Sequence, residues 1–179
     1  MPGLIHHHAV IHPKAHVARD ECFIGAGTKV WQFASVIRGA RLGEDCTVGA
    51  GAIIDGAQIG DRCIIGAGAQ IHPGMKIGND VFVGPGAIFC NDVWPSVSKE
   101  GFDYEGLGKD GNFAVVVDDK AMIGAASIIM PGVHIGMGAM ISAGAKVMFD
   151  VPPFSLYTRA NKLGRMAGAE HELRMRWAS

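Results

Sequence analysis

An aliphatic residue recurs at nearly every sixth position along most of the chain, and this spacing limits the folds that the sequence can adopt. The recurring residues, here called marks, are Ile5, Ile11, Val17, Ile24, Val30, Val36, Leu42, Val48, Ile54, Ile59, Ile65, Ile71, Ile77, Val83 and Phe89, followed by Val117, Ile123, Ile129, Ile135, Ile141 and Val147. A period of six fits neither a lone amphipathic helix nor an ordinary alternating strand. It predicts a solenoid in which three six-residue units form one triangular coil and the marks stack inside it.

The composition agrees with a coil of short strands and many corners. Glycine accounts for 26 residues and aromatic residues for only 7% of the chain, so Ile, Val, Ala and Met must build the interior. Glycine often follows a mark, as in Ile65-Gly66 and Ile77-Gly78, and we expect it to supply the unusual backbone angles of a sharp corner. Cys46 and Cys63 fall one coil apart and are expected to stack inside as small apolar groups.

Charge and cysteine usage exclude several classes of function. The formal net charge is −1 with 18% charged residues, which gives no electrostatic basis for binding nucleic acid or an anionic membrane. No apolar run approaches the ~20 residues needed to span a bilayer, and the N-terminus lacks the pattern of a secretion signal. The four cysteines show neither a CxxC pair nor zinc-ligand spacing. The sequence therefore predicts a cytoplasmic protein without a metal site.

The six-residue rhythm stops once, over residues 91–116. A long aperiodic segment inside a compact repeat is usually functional or disordered. Here it carries Trp94 and Tyr104 although aromatic residues are scarce elsewhere, and it begins with Asn91 and Asp92. These features favour a functional loop, with the alternative that Asn91 and Asp92 only start a turn.

The repeat resembles that of the hexapeptide-repeat superfamily, over residues 5–90 and 117–152. The resemblance implies a left-handed parallel β-helix, an acyltransferase activity and a homotrimer. The segment FCNDVWPS is similar to the corresponding break in N-acetyltransferases that act on nucleotide-linked amino sugars, particularly 3-amino sugars, with Phe89, Asn91, Asp92 and Pro95 in matching places. This similarity implies a role in making sugars for surface polysaccharides such as lipopolysaccharide.

The resemblance assigns roles to the residues around the break. Asn91 would orient the acceptor amine, and Asp92 would accept a proton or hold the ammonium group. Phe89, Trp94 and Tyr104 would contact the substrate. His134 is the alternative base, because many O-acetyltransferases of this superfamily use a histidine; His72, at a corner, is a weaker candidate.

The acyl donor implied by the resemblance is acetyl-CoA. Small residues of the later coils would hold its pantetheine arm, and basic residues of the closing segment would approach its phosphates. The positions concerned are Ala126, Ser127, Gly144, Ala145, Arg159 and Lys162. We expect the β-helix to occupy residues 1–152, with the protruding loop at about 91–116, and residues 153–179 to form a turn and a short C-terminal α-helix that covers the end of the coil.

Two other functions remain open from the sequence. A γ-type zinc carbonic anhydrase would need three converging imidazoles, and His7, His12 and His16 lie close in the sequence. A non-catalytic scaffold subunit would need no coenzyme A and no loop. For the favoured transferase, the sequence leaves open the sugar, the nucleotide, the ring position and the length of the acyl group.

Overall fold

The computed structural model describes residues 3–93, 95 and 113–165, and within them the chain is an all-β solenoid. Within these ranges twenty-three short strands lie in three sheets, each forming one side of a triangular prism. Every pairing between coils is parallel, and the chain visits the three sheets in turn. This arrangement confirms the predicted β-helix and is consistent with the left-handed form.

The strands are grouped by sheet, labelled A, B and C in chain order. Sheet A contains β1 (Leu4–Ile5), β4 (Phe23–Ile24), β7 (Arg41–Leu42), β10 (Gln58–Ile59), β13 (Met75–Ile77), β16 (Val115–Val117) and β19 (His134–Ile135). Sheet B contains β2 (Val10–Ile11), β5 (Lys29–Val30), β8 (Thr47–Val48), β11 (Ile64–Ile65), β14 (Phe82–Val83), β17 (Met122–Ile123), β20 (Met140–Ile141), β22 (Ser155–Tyr157) and β23 (Leu163–Arg165). Sheet C contains β3 (His16–Val17), β6 (Ser35–Ile37), β9 (Ile53–Asp55), β12 (Gln70–Ile71), β15 (Ile88–Phe89), β18 (Ile128–Ile129) and β21 (Lys146–Val147).

The register between coils shows how the irregular steps are absorbed. Ile65 pairs with Val83, three six-residue units further along the chain. Leu42 pairs with Ile59, one residue short of that distance, because the step between Ile54 and Ile59 is five. One corner thus takes up the irregularity, and the marks stay aligned.

The marks form the core. From Ile24 onward every mark is at most 5% exposed, whereas those of the first coil, Ile5, Ile11 and Val17, are only half-buried, since among the described residues a neighbouring coil covers them on one side only. Cys46 and Cys63 are buried as predicted, and the backbone N–H of Cys63 donates to Sγ of Cys46 over 3.4 Å. The interior is therefore a continuous column of aliphatic and small side chains along the prism.

The glycine that follows a mark has a different role from the one expected. The left-handed backbone angles occur two residues later, as at Gly68 with φ of 66°, and not at Gly66 or Gly78. At Gly66 a Cβ atom would lie 2.5 Å from the backbone N of Pro85 in the next coil. Glycine is thus required after the mark because neighbouring coils touch there.

Replacing Gly66 with alanine is expected to destabilise the protein by about 3 kcal/mol, the upper end of the cost of overpacking, because the added methyl group meets backbone that cannot move aside. Gly68→Ala is the matched control in the same corner, since a Cβ at Gly68 would meet nothing within 4 Å. It should cost only about 1–2 kcal/mol for its left-handed φ. Thermal unfolding at equal protein concentration measures both; equal losses would contradict the steric explanation.

The C-terminal end of the coil is closed by a hairpin. Strand β22 extends sheet B, and β23 folds back on it in antiparallel pairing, with Leu156 opposite Gly164. Tyr157 is fully buried, and its hydroxyl donates to the carbonyl of Lys146 over 2.9 Å. Residues 163–165 are therefore strand where a helix was expected, and residues 166–179 of that prediction lie outside the described residues. No helix in the described ranges has the length and apolar character to cross a bilayer.

Candidate functional site

The insert leaves the prism at the corner where the chain passes from sheet C to sheet A, here called the C–A corner. The chain leaves after β15 in sheet C and returns at β16 in sheet A. Ile77 pairs with Val117, so the coil resumes in register across the insert. Asn91 and Asp92 are half-buried at this point of departure. Trp94 and Tyr104 lie outside the described residues.

His134 lies beside the same corner on the next coil. It begins β19 and pairs with Val116 of β16, while Phe89 of β15 pairs with Ile129. Asn91 follows Phe89 by two residues and His134 follows Ile129 by five, so the two flank the C–A corner on neighbouring coils. The fold therefore places Asn91 and Asp92 at the C–A corner and His134 just beyond the same corner on the next coil, although His134 is far from the other two in the sequence.

His134 is held by two carboxylates. Its Nε2 lies 2.9 Å from Oδ2 of Asp118, with 52% of the His134 side chain and 39% of the Asp118 side chain exposed. Its backbone N–H donates to Oδ1 of Asp150 over 2.8 Å. A carboxylate only accepts hydrogen bonds, so Nε2 carries the proton and, in the neutral ring, Nδ1 is left with a lone pair. This dyad can act as a general base towards a group in the adjacent solvent space.

Asp118 was missed in the sequence analysis. It follows β16 directly and lies one coil below His134, sixteen residues earlier in the chain. The signal was available: in a coil of about eighteen residues, an acid two positions beyond the residue paired with a histidine lies next to it. To find Asp118 from the sequence, one must know which residues of neighbouring coils lie opposite each other. The six-residue period alone does not give this register.

Phe89 and Cys90 also lie at this corner, but their side chains take no part in an exposed site. Phe89 is fully buried as a mark, so its ring belongs to the core and not to a substrate-binding surface. Burial raises the pKa of the Cys90 thiol, which keeps it protonated and poorly nucleophilic. His72 lies at the same corner one coil before Cys90 and is half-buried.

The candidate coenzyme residues meet at a second corner, between sheets B and C, here called the B–C corner. Ala126 and Gly144 are exposed there on successive coils, and the N–H of Gly144 donates to the carbonyl of Ala125 over 2.8 Å. The side chain of Arg159 continues the line, with its Cδ 3.8 Å from where a Cβ of Gly144 would lie. Small residues and the side-chain stem of Arg159 thus form a track parallel to the prism axis.

The remaining coenzyme candidates differ in exposure. Ser127 is buried and its hydroxyl donates to the carbonyl of Gly124 over 2.8 Å, and Ala145 is 1% exposed. Both side chains therefore face the interior. Lys162 is exposed and its N–H donates to Oγ1 of Thr158 over 3.3 Å. Ala126 holds a left-handed φ of 53° at a place where most coils have glycine, as at Gly144 with 69°.

The two corners are not adjacent in one chain. Sheet C separates them by four or five residues of extended backbone, roughly 15 Å. Groups that react must approach to about 3–3.5 Å. One chain alone therefore does not place the track at the B–C corner beside the dyad at the C–A corner.

The outer face of sheet B carries an apolar stripe. It comprises Ile64, Phe82, Met122 and Met140, which lie in register on successive coils. Ile64 is 49% exposed and Phe82 is 42% exposed, and Phe82, Met122 and Met140 line a shallow cleft. Contiguous apolar surfaces of this kind are typical of interaction sites.

The histidines of the first coils do not form the trio considered for a carbonic anhydrase. Within the described residues, one group of His, Cys, Asp and Glu side chains could hold a metal ion, and it consists of His6, His7 and His8. His12 instead accepts a hydrogen bond at Nδ1 from the N–H of Lys14 over 3.1 Å. His16 lies beyond it in β3.

Two family descriptions match the chain. "Bacterial transferase hexapeptide (six repeats)" matches residues 21–56 and 56–91, and "Hexapeptide repeat of succinyl-transferase" matches residues 114–147. Together the matched segments cover more than half of the chain. The first match ends at residue 91, where the insert begins, and the second starts at residue 114, near its end.

Individual relatives agree with these matches. A protein of Schizosaccharomyces pombe whose name describes an acetyltransferase is 36% identical over 82 residues, which is 46% of this chain and 38% of that protein. This chain thus spans about two fifths of the length of that curated relative.

Two solved structures share the fold. A mutant of AntD, an N-acyltransferase from Bacillus cereus in complex with dTDP-4-amino-4,6-dideoxyglucose and coenzyme A, superposes with a TM-score of 0.58 at 16% identity, covering 99% of this chain and 91% of that one. LpxA, a UDP-N-acetylglucosamine acyltransferase from Bacteroides fragilis, gives a TM-score of 0.55 at 19% identity, covering 98% and 79%. At these identities the likeness concerns the fold.

Proposed function

The chain belongs to the hexapeptide-repeat transferases, and from this premise we propose that it is an acetyl-CoA-dependent N-acetyltransferase acting on a nucleotide-linked amino sugar. The observation that carries the proposal is the pair Asn91 and Asp92, which lies half-buried at the C–A corner where the repeat is interrupted, with the carboxylate-paired His134 on the next coil. The fold shared with AntD, whose structure holds an amino-sugar nucleotide and coenzyme A, supports the same acceptor and donor. Such a reaction belongs to the making of sugars for surface polysaccharides.

In the proposed reaction the sugar amine attacks the thioester carbonyl of acetyl-CoA. The new C–N bond forms a tetrahedral intermediate, and its collapse breaks the C–S bond. Nδ1 of His134 takes the proton from the attacking nitrogen and passes it to the departing thiolate, while Asp118 stabilises the imidazolium that forms in between. Asn91 orients the amine, and Asp92 holds the ammonium form until it releases its first proton to water and becomes the neutral amine that attacks.

Coenzyme A would lie along the track at the B–C corner. The exposed backbone of Ala126 and Gly144 offers close approach to a narrow pantetheine arm, and Arg159 offers a guanidinium to phosphate. Lys162 supplies a second cation on the same closing segment. Because Ser127 and Ala145 face the interior, their contribution is to the shape of the corner and not to direct contact.

A homotrimer would bring the two corners together. The C–A corner of one subunit would face the B–C corner of the next, with the apolar stripe on sheet B buried between subunits. Rotational symmetry allows such a heterologous contact to close into a ring. In this arrangement each active site needs residues from two chains.

Replacing Asn91 with alanine is expected to lower turnover at least tenfold, because the amine loses the group that orients it. Gln32→Ala is the matched control, since it removes an amide from the B–C corner of an early coil. Steady-state assays of thiol release at saturating acetyl-CoA measure both. Turnover of the Asn91 variant within twofold of the wild type would remove Asn91 from the site.

A hydroxyl acceptor is the second candidate, and the His134–Asp118 dyad is the observation that favours it. A hydroxyl group is far harder to deprotonate than a sugar amine, so O-acetylation depends more strongly on a general base. Matched pairs of amino and hydroxy sugars with the same nucleotide distinguish the two. Preference for the hydroxy sugar would overturn the N-acetyltransferase assignment but would leave the location of the proposed active site unchanged.

A further inference from the structure

We propose that His6, His7 and His8 form a binding site for one divalent transition-metal ion, such as Zn²⁺, at the N-terminal end of the prism. The ligand nitrogens of the three side chains all lie within 4.8 Å of one another. Neither the transferase reaction nor the matched families assign a role to these residues. The site is independent of the proposed acyl transfer.

The backbone already holds the three rings at one corner. His6 N–H donates to the carbonyl of Ile24 in the next coil over 2.9 Å, and the N–H of Ala9 donates to the carbonyl of His6 over 2.9 Å. These bonds close a tight turn with His7 and His8 at its tip. The ring centroids of His6 and His7 are 4.4 Å apart and those of His7 and His8 4.0 Å apart.

The geometry requires only a small movement to bind an ion. Zinc–nitrogen bonds of about 2.0–2.1 Å in a tetrahedral site place ligand nitrogens roughly 3.3 Å apart. The ligand nitrogens must therefore approach from at most 4.8 Å to about 3.3 Å. His7 and His8 are exposed, so their rings can rotate to close this gap, while His6 is half-buried and less mobile. Three imidazoles then leave a fourth position for water, a donor set suited to Zn²⁺, Ni²⁺ or Cu²⁺ and unsuited to Mg²⁺ or Ca²⁺.

One hydrogen bond competes with the ion. Nδ1 of His6 accepts from the N–H of His8 over 3.2 Å. An ion bound at Nδ1 would replace this bond, and an ion bound at Nε2 would require the proton to move to Nδ1. In both cases the hydrogen bond between His8 N–H and His6 is lost. In its place the ion forms a coordinate bond to His6 and two more to His7 and His8.

The position indicates a structural ion. His6 follows β1 in the first coil, and six strand spacings in sheet A separate β1 from β19, which carries His134. At about 4.8 Å per spacing the two lie roughly 29 Å apart. The marks of this first coil are only half-buried, so an ion that fixes its corner would stabilise a unit with fewer neighbours than the coils further along the chain.

The test uses the full chain purified without an affinity tag and titrated with Zn²⁺ against a chromophoric chelator. We expect one ion per chain, a higher unfolding temperature with Zn²⁺ than without it, and a Co²⁺ visible spectrum typical of four-coordinate nitrogen and oxygen ligands. His7→Ala and His8→Ala should each weaken binding at least tenfold and remove the thermal shift. His12→Ala and His16→Ala are the matched controls, and their affinity for Zn²⁺ should stay within twofold of the wild-type value.

Three outcomes would overturn the proposal. They are the absence of saturable binding in the wild type, equal weakening by the control variants, and a stoichiometry of one ion for three chains. Because His7 and His8 are exposed at a turn, their replacement should leave the circular dichroism spectrum and the acetyltransferase activity unchanged. Loss of activity in these variants would also contradict a site remote from the chemistry.

Discussion

Replacing His134 with alanine is expected to lower turnover about a hundredfold or more, the largest effect of any single substitution outside the core. The reason is the dyad: with Nε2 bound to Asp118 at 2.9 Å, the imidazole presents Nδ1 as the base in a fixed orientation. General bases of this kind contribute typically 10²–10⁴-fold. Asp118→Asn should give an intermediate loss, because the amide oxygen still accepts from Nε2 but no longer stabilises an imidazolium.

Turnover with saturating acetyl-CoA and amino-sugar nucleotide measures these effects. His16→Ala is the control, since it removes an exposed imidazole from sheet C in the first coil. Coenzyme A binding should persist in all three variants, because the track at the B–C corner is untouched. A His134 variant with wild-type turnover would show that the acceptor needs no side-chain base.

A double substitution of Phe82 and Met122 by aspartate is expected to convert the proposed trimer into monomers and to abolish activity. These two side chains are paired across β14 and β17 at the centre of the apolar stripe. Burying each apolar side chain in an interface stabilises it by about 1.5–3 kcal/mol, and an unpaired carboxylate buried there adds a further penalty. Activity should be lost with the assembly because the two corners of the site would no longer meet.

Light scattering after size exclusion measures the mass, and the thiol-release assay measures the activity. Leu4→Asp is the matched control, because it places the same charge on an exposed apolar position of sheet A, where Leu4 is 65% exposed. Leu4→Asp should leave both the mass of the assembly and the activity unchanged. A monomeric wild type, or a double variant that stays trimeric and active, would contradict the proposed interface and the shared site.

The sequence predicted the architecture because the period records burial directly. Each mark occupies an interior position, and the stacking of Ile65 on Val83 or Ile71 on Phe89 follows from the six-residue spacing alone. The same logic placed Cys46 and Cys63 in the core. The expectation that Gly66 supplies an unusual backbone angle was wrong. The period shows where a residue lies along the coil, but not how closely the next coil approaches it.

The site was only partly predictable. The break in the rhythm located Asn91 and Asp92, and the resemblance pointed to His134, but the partnership with Asp118 depends on contact between coils. The burial of Ser127 likewise depends on which way its side chain faces, whereas the burial of Phe89 already follows from its place among the marks. In a solenoid, alternate positions of a unit face in or out, so a residue can lie in the right segment and still face away from the substrate.

The most direct test of the account is thiol release from acetyl-CoA by the untagged wild-type protein, measured with a panel of nucleotide-linked amino sugars and their hydroxy counterparts. The panel varies the nucleotide (dTDP, UDP or GDP) and the position of the amine on the ring. We expect turnover with at least one amino sugar, an N-acetylated product of the expected mass, and little or no turnover with its hydroxy counterpart. Failure to bind coenzyme A, together with no turnover across the panel, would contradict it.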